Sequence, residues 1–172
     1  VQMGMDGIVY VRPSQNSGLA IEYPSGSGKY YSKFAYNDGD GHTGYDREFA
    51  LLLNEFWTTP HANLESIQES VWPDYKANYW VINGRVYPDT AKRGDHPDLE
   101  LDGQVRQPVS SLIQLNPGER VLLRFANLGY EQHTMQLPGI EMRVVGEDAT
   151  LLGDKRYSTH TLYIGPGEAR DV

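Results

Sequence analysis

Ser110-Ser-Leu-Ile-Gln-Leu-Asn-Pro-Gly-Glu-Arg-Val-Leu-Leu-Arg-Phe-Ala-Asn-Leu-Gly-Tyr-Glu-Gln-His-Thr-Met-Gln-Leu-Pro-Gly-Ile-Glu-Met-Arg-Val-Val145 decides the fold class. It reads as strand, tight turn, strand, short loop, strand, strand. Leu112 and Val121 to Phe125 are the branched and aromatic types that suit a pleated, half-buried surface. Between them Asn116-Pro117-Gly118 supplies a preset φ and then a residue that tolerates positive φ, which is turn chemistry.

Outward from this stretch the same alternation of short runs and turns continues. Glu48 to Trp57 is the most apolar run, too short for a membrane span, and reads as a buried strand. Tyr79 to Pro88 is a strand running into an Asn83-Gly84 turn. Pro60 to Ser70, with Leu64 and Ile67 at helical spacing and Pro73 beyond, predicts one short surface helix. Further strands are expected at 110 to 115, 121 to 127, 133 to 137, 141 to 146 and 160 to 164. Many short strands with Gly and Pro turns argue an all-β antiparallel sandwich.

Residues 1 to 13 hold a short strand at Ile8 to Val11 that ends at Pro13, where a ladder donor is lost. Residues 14 to 46 shift to Gly, Ser, Asn, Asp and Tyr with little periodicity, and are read as a linker or long surface loop with an extended piece near Tyr30 to Tyr36. Within them Asp38-Gly-Asp40-Gly-His42 superficially resembles a calcium loop. Its glycines and the missing bidentate Glu do not fit the helix-loop-helix calcium spacing, so a solvated loop is the expectation. Asp95, His96 and Asp98 are likewise read as a surface loop, since one His with scattered carboxylates rarely makes a site. Residues 47 to 172 form the main domain.

Composition removes several functions. The 172 residues carry a net charge of −8 and no run of Lys and Arg, which disfavours nucleic acid as a partner. No stretch approaches the ~18 to 20 apolar residues of a membrane span. Cysteine is absent, so there is no disulfide, no thiolate metal site and no thiol nucleophile. A blue-copper centre needs two His and a Cys, and this chain cannot complete one by itself. Ser110 and Ser111 lack the glycines of a nucleophile elbow, so a hydrolase is not indicated.

Asp46 to Trp57, Tyr79 to Thr90, Asn116 to Asn127 and Thr161 to Val172 together resemble successive strands of a cupredoxin domain of the multicopper oxidases. The resemblance implies a Greek-key cupredoxin-like β-sandwich in which residues 1 to 13 are the last strand of a preceding cupredoxin domain and 47 to 172 most of the next, truncated at its C-terminus. The chain is accordingly read as a piece of a longer polypeptide whose other domains or subunits are its partners.

That resemblance also assigns candidate residues. Val1-Gln-Met-Gly-Met5-Asp-Gly is similar to the tail of the family's His-Cys-His-x-x-x-His-x-x-x-Gly-Met pattern, which would put Met5 at the axial position of a type-1 copper. The alternative is that Met3 and Met5 are gap-filling thioethers. His133 stands where His-x-x-His-x-His would begin, but Gln136 and Pro138 replace the other two ligands. A carboxamide is a poor copper ligand beside imidazole, and proline has no side-chain donor. His133 is therefore expected to be a hydrogen-bonded, vestigial ligand position. His42, His61, His96 and His160 lie in separate segments without His-x-His spacing.

The implied parent is a periplasmic or secreted copper oxidoreductase that couples one-electron oxidation of a substrate to reduction of dioxygen. This chain is expected to bind no copper alone and to act as scaffold. The alternative is a non-catalytic interaction domain that presents Tyr23, Tyr30, Tyr31, Tyr36 and Tyr45.

Overall fold

The computed structural model describes residues 4–63, 71–105, 107 and 109–172. In chain order its elements are β1 (Ile21–Glu22), β2 (Tyr30–Tyr31), β3 (Arg47–Phe56), α1 (Thr58–Asn63), β4 (Tyr79–Ile82), β5 (Glu100–Leu101), β6 (Gln104–Val105), β7 (Val121–Asn127), β8 (His133–Gln136), β9 (Met142–Val144), β10 (Gly146–Glu147), β11 (Thr150–Leu151), β12 (Tyr157–Thr159), β13 (Thr161–Ile164) and β14 (Ala169–Asp171). One sheet runs β11-β10-β14-β7-β3-β4, and the ribbons β8-β13 and β9-β12 lie against it. Among these pairings only β3 with β7 is parallel.

Strand alternation sorts the two faces of the sheet. Leu51 and Leu53 of β3 and Leu123 and Phe125 of β7 point inward, onto Met142 and Val144 of β9 and Leu162 and Ile164 of β13. All eight are buried, and this is the sandwich core. The intervening residues of β3 and β7, including Glu48, Asn54 and Arg124, point to the opposite face.

That second face is covered by residues 4 to 46. Ala35 and Tyr45 pack on Leu122, and Phe34 is fully buried. Arg124 pairs with Glu48 at 2.5 Å and with Asp171 at 2.9 Å. The Tyr36 hydroxyl donates to Asp171 at 2.6 Å. Burial pushes the Asp171 carboxyl up despite these partners, and burial followed by the Asp171 hydrogen bond pushes the Tyr36 phenol up. Residues 14 to 46 are irregular as expected, with β2 in the extended piece, and within them Tyr31, Phe34, Ala35 and residues 41 to 45 are buried.

The expected strand at Ile8 to Val11 does not form. Here the chain lies over the face of β3 with side-chain contacts: Gly4 beside Phe56, Asp6 accepting from Asn54 at 2.7 Å, Arg12 paired with Glu48 at 2.6 Å. A segment lying on a face cannot join a ladder, which runs through strand edges. Val9 and Val11 remain about nine-tenths exposed, at 90% and 89%.

The strand expected at 110 to 115 is also absent. The Ser110 and Ser111 hydroxyls donate to the carbonyls of Lys92 and Thr90, both at 2.7 Å, and pin this segment to a loop. Of the helix expected over Pro60 to Ser70, α1 occupies Thr58–Asn63 and positions 64 to 70 lie outside the described residues. The Asn83-Gly84 turn forms as read, with φ of 53° and 77°, the left-handed pair that a tight hairpin requires. Arg85 follows it, fully buried, its guanidinium donating to the Gln107 carbonyl at 2.7 and 3.1 Å and to the Lys92 carbonyl at 2.6 Å.

Candidate functional site

The residues read as copper-ligand positions do not converge. Along β8, His133 and Met135 are half-buried while Thr134 and Gln136 are exposed, so His133 and Gln136 lie on opposite faces. Pro138 is not on the strand. It sits in a turn closed by the Ile140 N–H donating to the Leu137 carbonyl at 3.0 Å, with Gly139 at a φ of 75°. Proline followed by a left-handed glycine is type II turn chemistry, and it ends β8 one residue earlier than expected. Met5 is 83% exposed.

His133 points instead toward a buried carboxylate. Glu55 is the last inward-facing residue of β3 and is fully buried. Its Oε2 lies 3.6 Å from Nε2 of His133. Its Oε1 accepts from the Glu131 N–H at 3.0 Å, from the Tyr130 N–H, and from the Tyr75 hydroxyl at 3.3 Å. Backbone donors aimed at one oxygen are what allow a carboxylate to be held inside a protein. Gly129 makes this possible, because a Cβ at that position would collide with the Glu55 carboxylate.

Aromatic rings close the outer side of this carboxylate. Tyr130 meets Tyr75 at 5.3 Å between ring centroids, Tyr75 meets Trp57 at 5.6 Å, and Trp57 meets Trp72 at 5.9 Å, each edge to face. Trp57 is buried, whereas Trp72 and Tyr130 are about half exposed.

Asp38, Asp40 and His42 are the one group of three potential metal donors among the described residues, within 4.8 Å of one another. The expectation of a solvated loop needs correction here, since the Asp38 side chain is fully buried and that of His42 is 7% exposed. Asp38 accepts from the Thr43 hydroxyl at 2.5 Å, the Thr43 N–H at 2.6 Å, the Gln15 amide at 2.7 Å and the Gly41 N–H at 2.9 Å. Burial raises its carboxyl, but these bonds outweigh burial and hold it below the ordinary range. Asp40 holds Nδ1 of His42 at 2.5 Å. The carboxylates thus serve the loop's own donors.

Two other sequence readings are resolved by contacts. Asp95, His96 and Asp98 form a surface ion-pair loop with Arg93 and Lys92. Of the five tyrosines read as a contact surface, Tyr31 and Tyr45 are buried, and Arg120 lies over the rings of Tyr23 and Tyr31 at 5.2 and 5.7 Å. Only Tyr30 stands well exposed among them, so they do not make the expected surface.

A family model for multicopper oxidases matches residues 47–172. This chain belongs to the multicopper oxidase family. Among solved structures it is similar to the multicopper oxidase mgLAC, with a TM-score of 0.55 and 22% identity over 74% of this chain and 33% of that one. It is also similar to the blue copper oxidase from Nitrosomonas europaea, with a TM-score of 0.53 and 22% identity over 73% of this chain and 32% of that one. A copper nitrite reductase from the same organism gives a TM-score of 0.50 and 22% identity over 79% of this chain and 42% of that one. No curated protein matches. The chain thus spans about a third of the length of the two oxidase structures, and the likeness to them is one of fold.

Set against the copper chemistry of a multicopper oxidase, the donor set of this chain does not fit. It has no cysteine, and of the three positions read as ligands one is an imidazole 3.6 Å from a carboxylate, one an exposed carboxamide and one a turn proline. The approach of His133 to Glu55 was missed by sequence reasoning, because the two residues come from strands far apart in the chain and Glu55 sits in no motif. The single available hint was Glu55 itself, an acid on the inward side of the most apolar strand.

Proposed function

We propose that this chain is the copper-free scaffold part of a larger multicopper oxidase polypeptide. Residues 1 to 13 lead out of a preceding domain and, from Gly4 on, lie against β3, and residues 47 to 172 make most of the next domain. In the parent, oxidation of a substrate by single electrons is coupled to dioxygen reduction at coppers that other segments hold, in a periplasmic or secreted setting. The observation that carries the reading is the divergence of His133, Gln136 and Pro138: one faces Glu55, one faces outward, one is spent on a turn. No described helix is long and apolar enough to cross a membrane.

Packing supports the idea that further segments of the parent cover this chain. A cleft of about 570 Å³ opens between the main sheet and β9, lined by Ile113, Leu115, Leu137, Ile140, Met142 and Val172 among others. An exposed apolar patch of this kind marks a place where another element or partner packs. The core and the polar seam of Glu48, Arg124 and Asp171 tie the sheet together.

Copper titration tests the proposal. The chain incubated with copper(II) and passed through a desalting column is expected to show no intense blue absorption, no stoichiometric copper and no oxygen consumption with a phenolic reductant. Stoichiometric, blue copper retained by this chain alone would overturn it. Copper analysis of the full-length polypeptide, expected to be positive, separates a scaffold within an oxidase from a copper-free protein altogether.

A further inference from the structure

Four rings form an unbroken chain from one patch of surface to another. Trp72 and Tyr130 are its exposed ends, at 51% and 57%, and the buried Trp57 and half-buried Tyr75 are its middle. Consecutive centroids are 5.9, 5.6 and 5.3 Å apart, so neighbouring rings touch edge to face. In a chain without cysteine, indole and phenol are the side chains most easily oxidised by one electron. A hydrophobic role explains why aromatic rings cluster. It does not require that the one phenol inside the chain, Tyr75, donate its hydroxyl to a fully buried carboxylate, as it does to Glu55 at 3.3 Å.

We infer that Trp72, Trp57 and Tyr75 form a relay for single oxidising equivalents, with the Tyr130 ring packed over Tyr75 and Glu55 as the acceptor of the Tyr75 phenol proton. When a high-potential one-electron oxidant takes an electron from the Tyr75 ring, its O–H bond breaks and the proton moves to Oε1 of Glu55. The products are a neutral phenoxyl radical and a carboxylic acid, so no net charge is created in the interior. Burying a new uncompensated charge would be costly, and the proton transfer avoids it. The radical is quenched when Trp57 gives an electron to Tyr75 and the proton returns from Glu55. Trp57 is then refilled from Trp72, and Trp72 from an external one-electron donor such as a phenol at the surface. Each electron lost by one ring is gained by the previous one, and the only proton that moves shuttles between Tyr75 and Glu55.

The absence of native cysteine makes the test direct. Val71 is exposed beside Trp72, and the thiol of a Val71→Cys variant takes a ruthenium polypyridyl photo-oxidant at a single place. After a flash with a sacrificial acceptor, paramagnetic resonance of the rapidly frozen chain is expected to show a tyrosyl radical. In heavy water it should carry a coupling to one exchangeable deuteron, from the protonated Glu55. Adding Tyr75→Phe or Trp57→Phe, which keep a ring in place, should abolish the tyrosyl signal. Glu55→Gln should leave a tryptophanyl spectrum in its place. A tyrosyl signal that survives either phenylalanine variant, or that lacks the exchangeable coupling, overturns the relay. The phenylalanine variants and the deuteron coupling decide the matter even if Glu55→Gln fails to fold.

Discussion

Replacing Leu123 by alanine measures how far the open cleft softens the core. Leu123 is 4% exposed on β7, packed in the cluster that holds Met142, Val144 and Leu162. Three carbons are removed, and at ~0.8 kcal/mol for each buried methylene the transfer loss is about 2.4 kcal/mol. A closed cavity would add ~24 cal/mol per Å³ of residual void. Leu123, however, lines the cleft together with Ile113 and Leu137, both only partly buried, so the void opens to solvent or is filled by their movement. The expected cost is about 2 to 3 kcal/mol, near the lower limit for such changes. Leu162 supplies the comparison: it is 1% exposed, paired with Met135 in the β8-β13 ribbon and away from the cleft. Leu162→Ala should cost about 3 to 5 kcal/mol, because its cavity stays closed. Urea unfolding at constant m-value reads both as shifts of the midpoint. A loss under about 0.5 kcal/mol for Leu123→Ala, or one as large as that for Leu162→Ala, would refute the reasoning built on the core range.

Two further changes probe polar contacts. The Asn116 N–H, the Arg47 guanidinium and the Asn116 amide hold Glu119 down from 4.5 to about 2. Its unfolded form binds the proton first, so its contribution is complete above 4.5 and is lost as pH falls toward 2; Glu119→Gln should flatten the acid limb of a stability-against-pH curve in that window, and an unchanged limb would count against the assignment. Asp171, raised by burial, acts in the opposite sense, its contribution falling as pH rises toward the raised value. Arg85→Lys should cost about 2 to 4 kcal/mol, since an ammonium cannot span the Gln107 and Lys92 carbonyls that the fork joins, and hydrogen bonds to charged groups are worth ~1.5 to 3 kcal/mol each. Faster limited proteolysis between residues 86 and 107 should accompany it, and wild-type stability of the lysine variant would contradict the role given to the fork.

The central strands were legible because their chemistry is local. Arg47–Phe56 and Val121–Asn127 are long apolar runs, and Asn83-Gly84 admits few conformations other than a tight turn. The 110 to 115 run failed as a strand because Ser110 and Ser111 offered the backbone of another loop better partners than a neighbouring strand did. The packing of part of residues 14 to 46 on the sheet was not legible, because a segment covering a sheet face needs only a few anchors. Phe34, Tyr45 and the Asp38 carboxylate provide them without any repeat that a periodicity search would register. At the candidate site the loss of ligands was readable from Gln136 and Pro138. What His133 does instead was not, since that depends on Glu55 arriving from another strand through the pairing of β3 with β7.

The parallel pairing of β3 with β7 governs how this polypeptide can be made. Asp46 meets Arg120 across a separation of 74 residues, and every partner in the ladder keeps that distance along the chain. Contacts so remote in sequence are slow to close, which favours refolding in milliseconds to seconds over microseconds. During synthesis at ~5 to 20 residues per second, β3 leaves the ribosome roughly 4 to 15 s before its partner exists. Phe49-Ala-Leu-Leu-Leu53 would be an adhesive segment through that interval. Glu48 on one side and Asn54-Glu55 on the other bracket it with polar and charged side chains, which discourage self-association until β7 emerges.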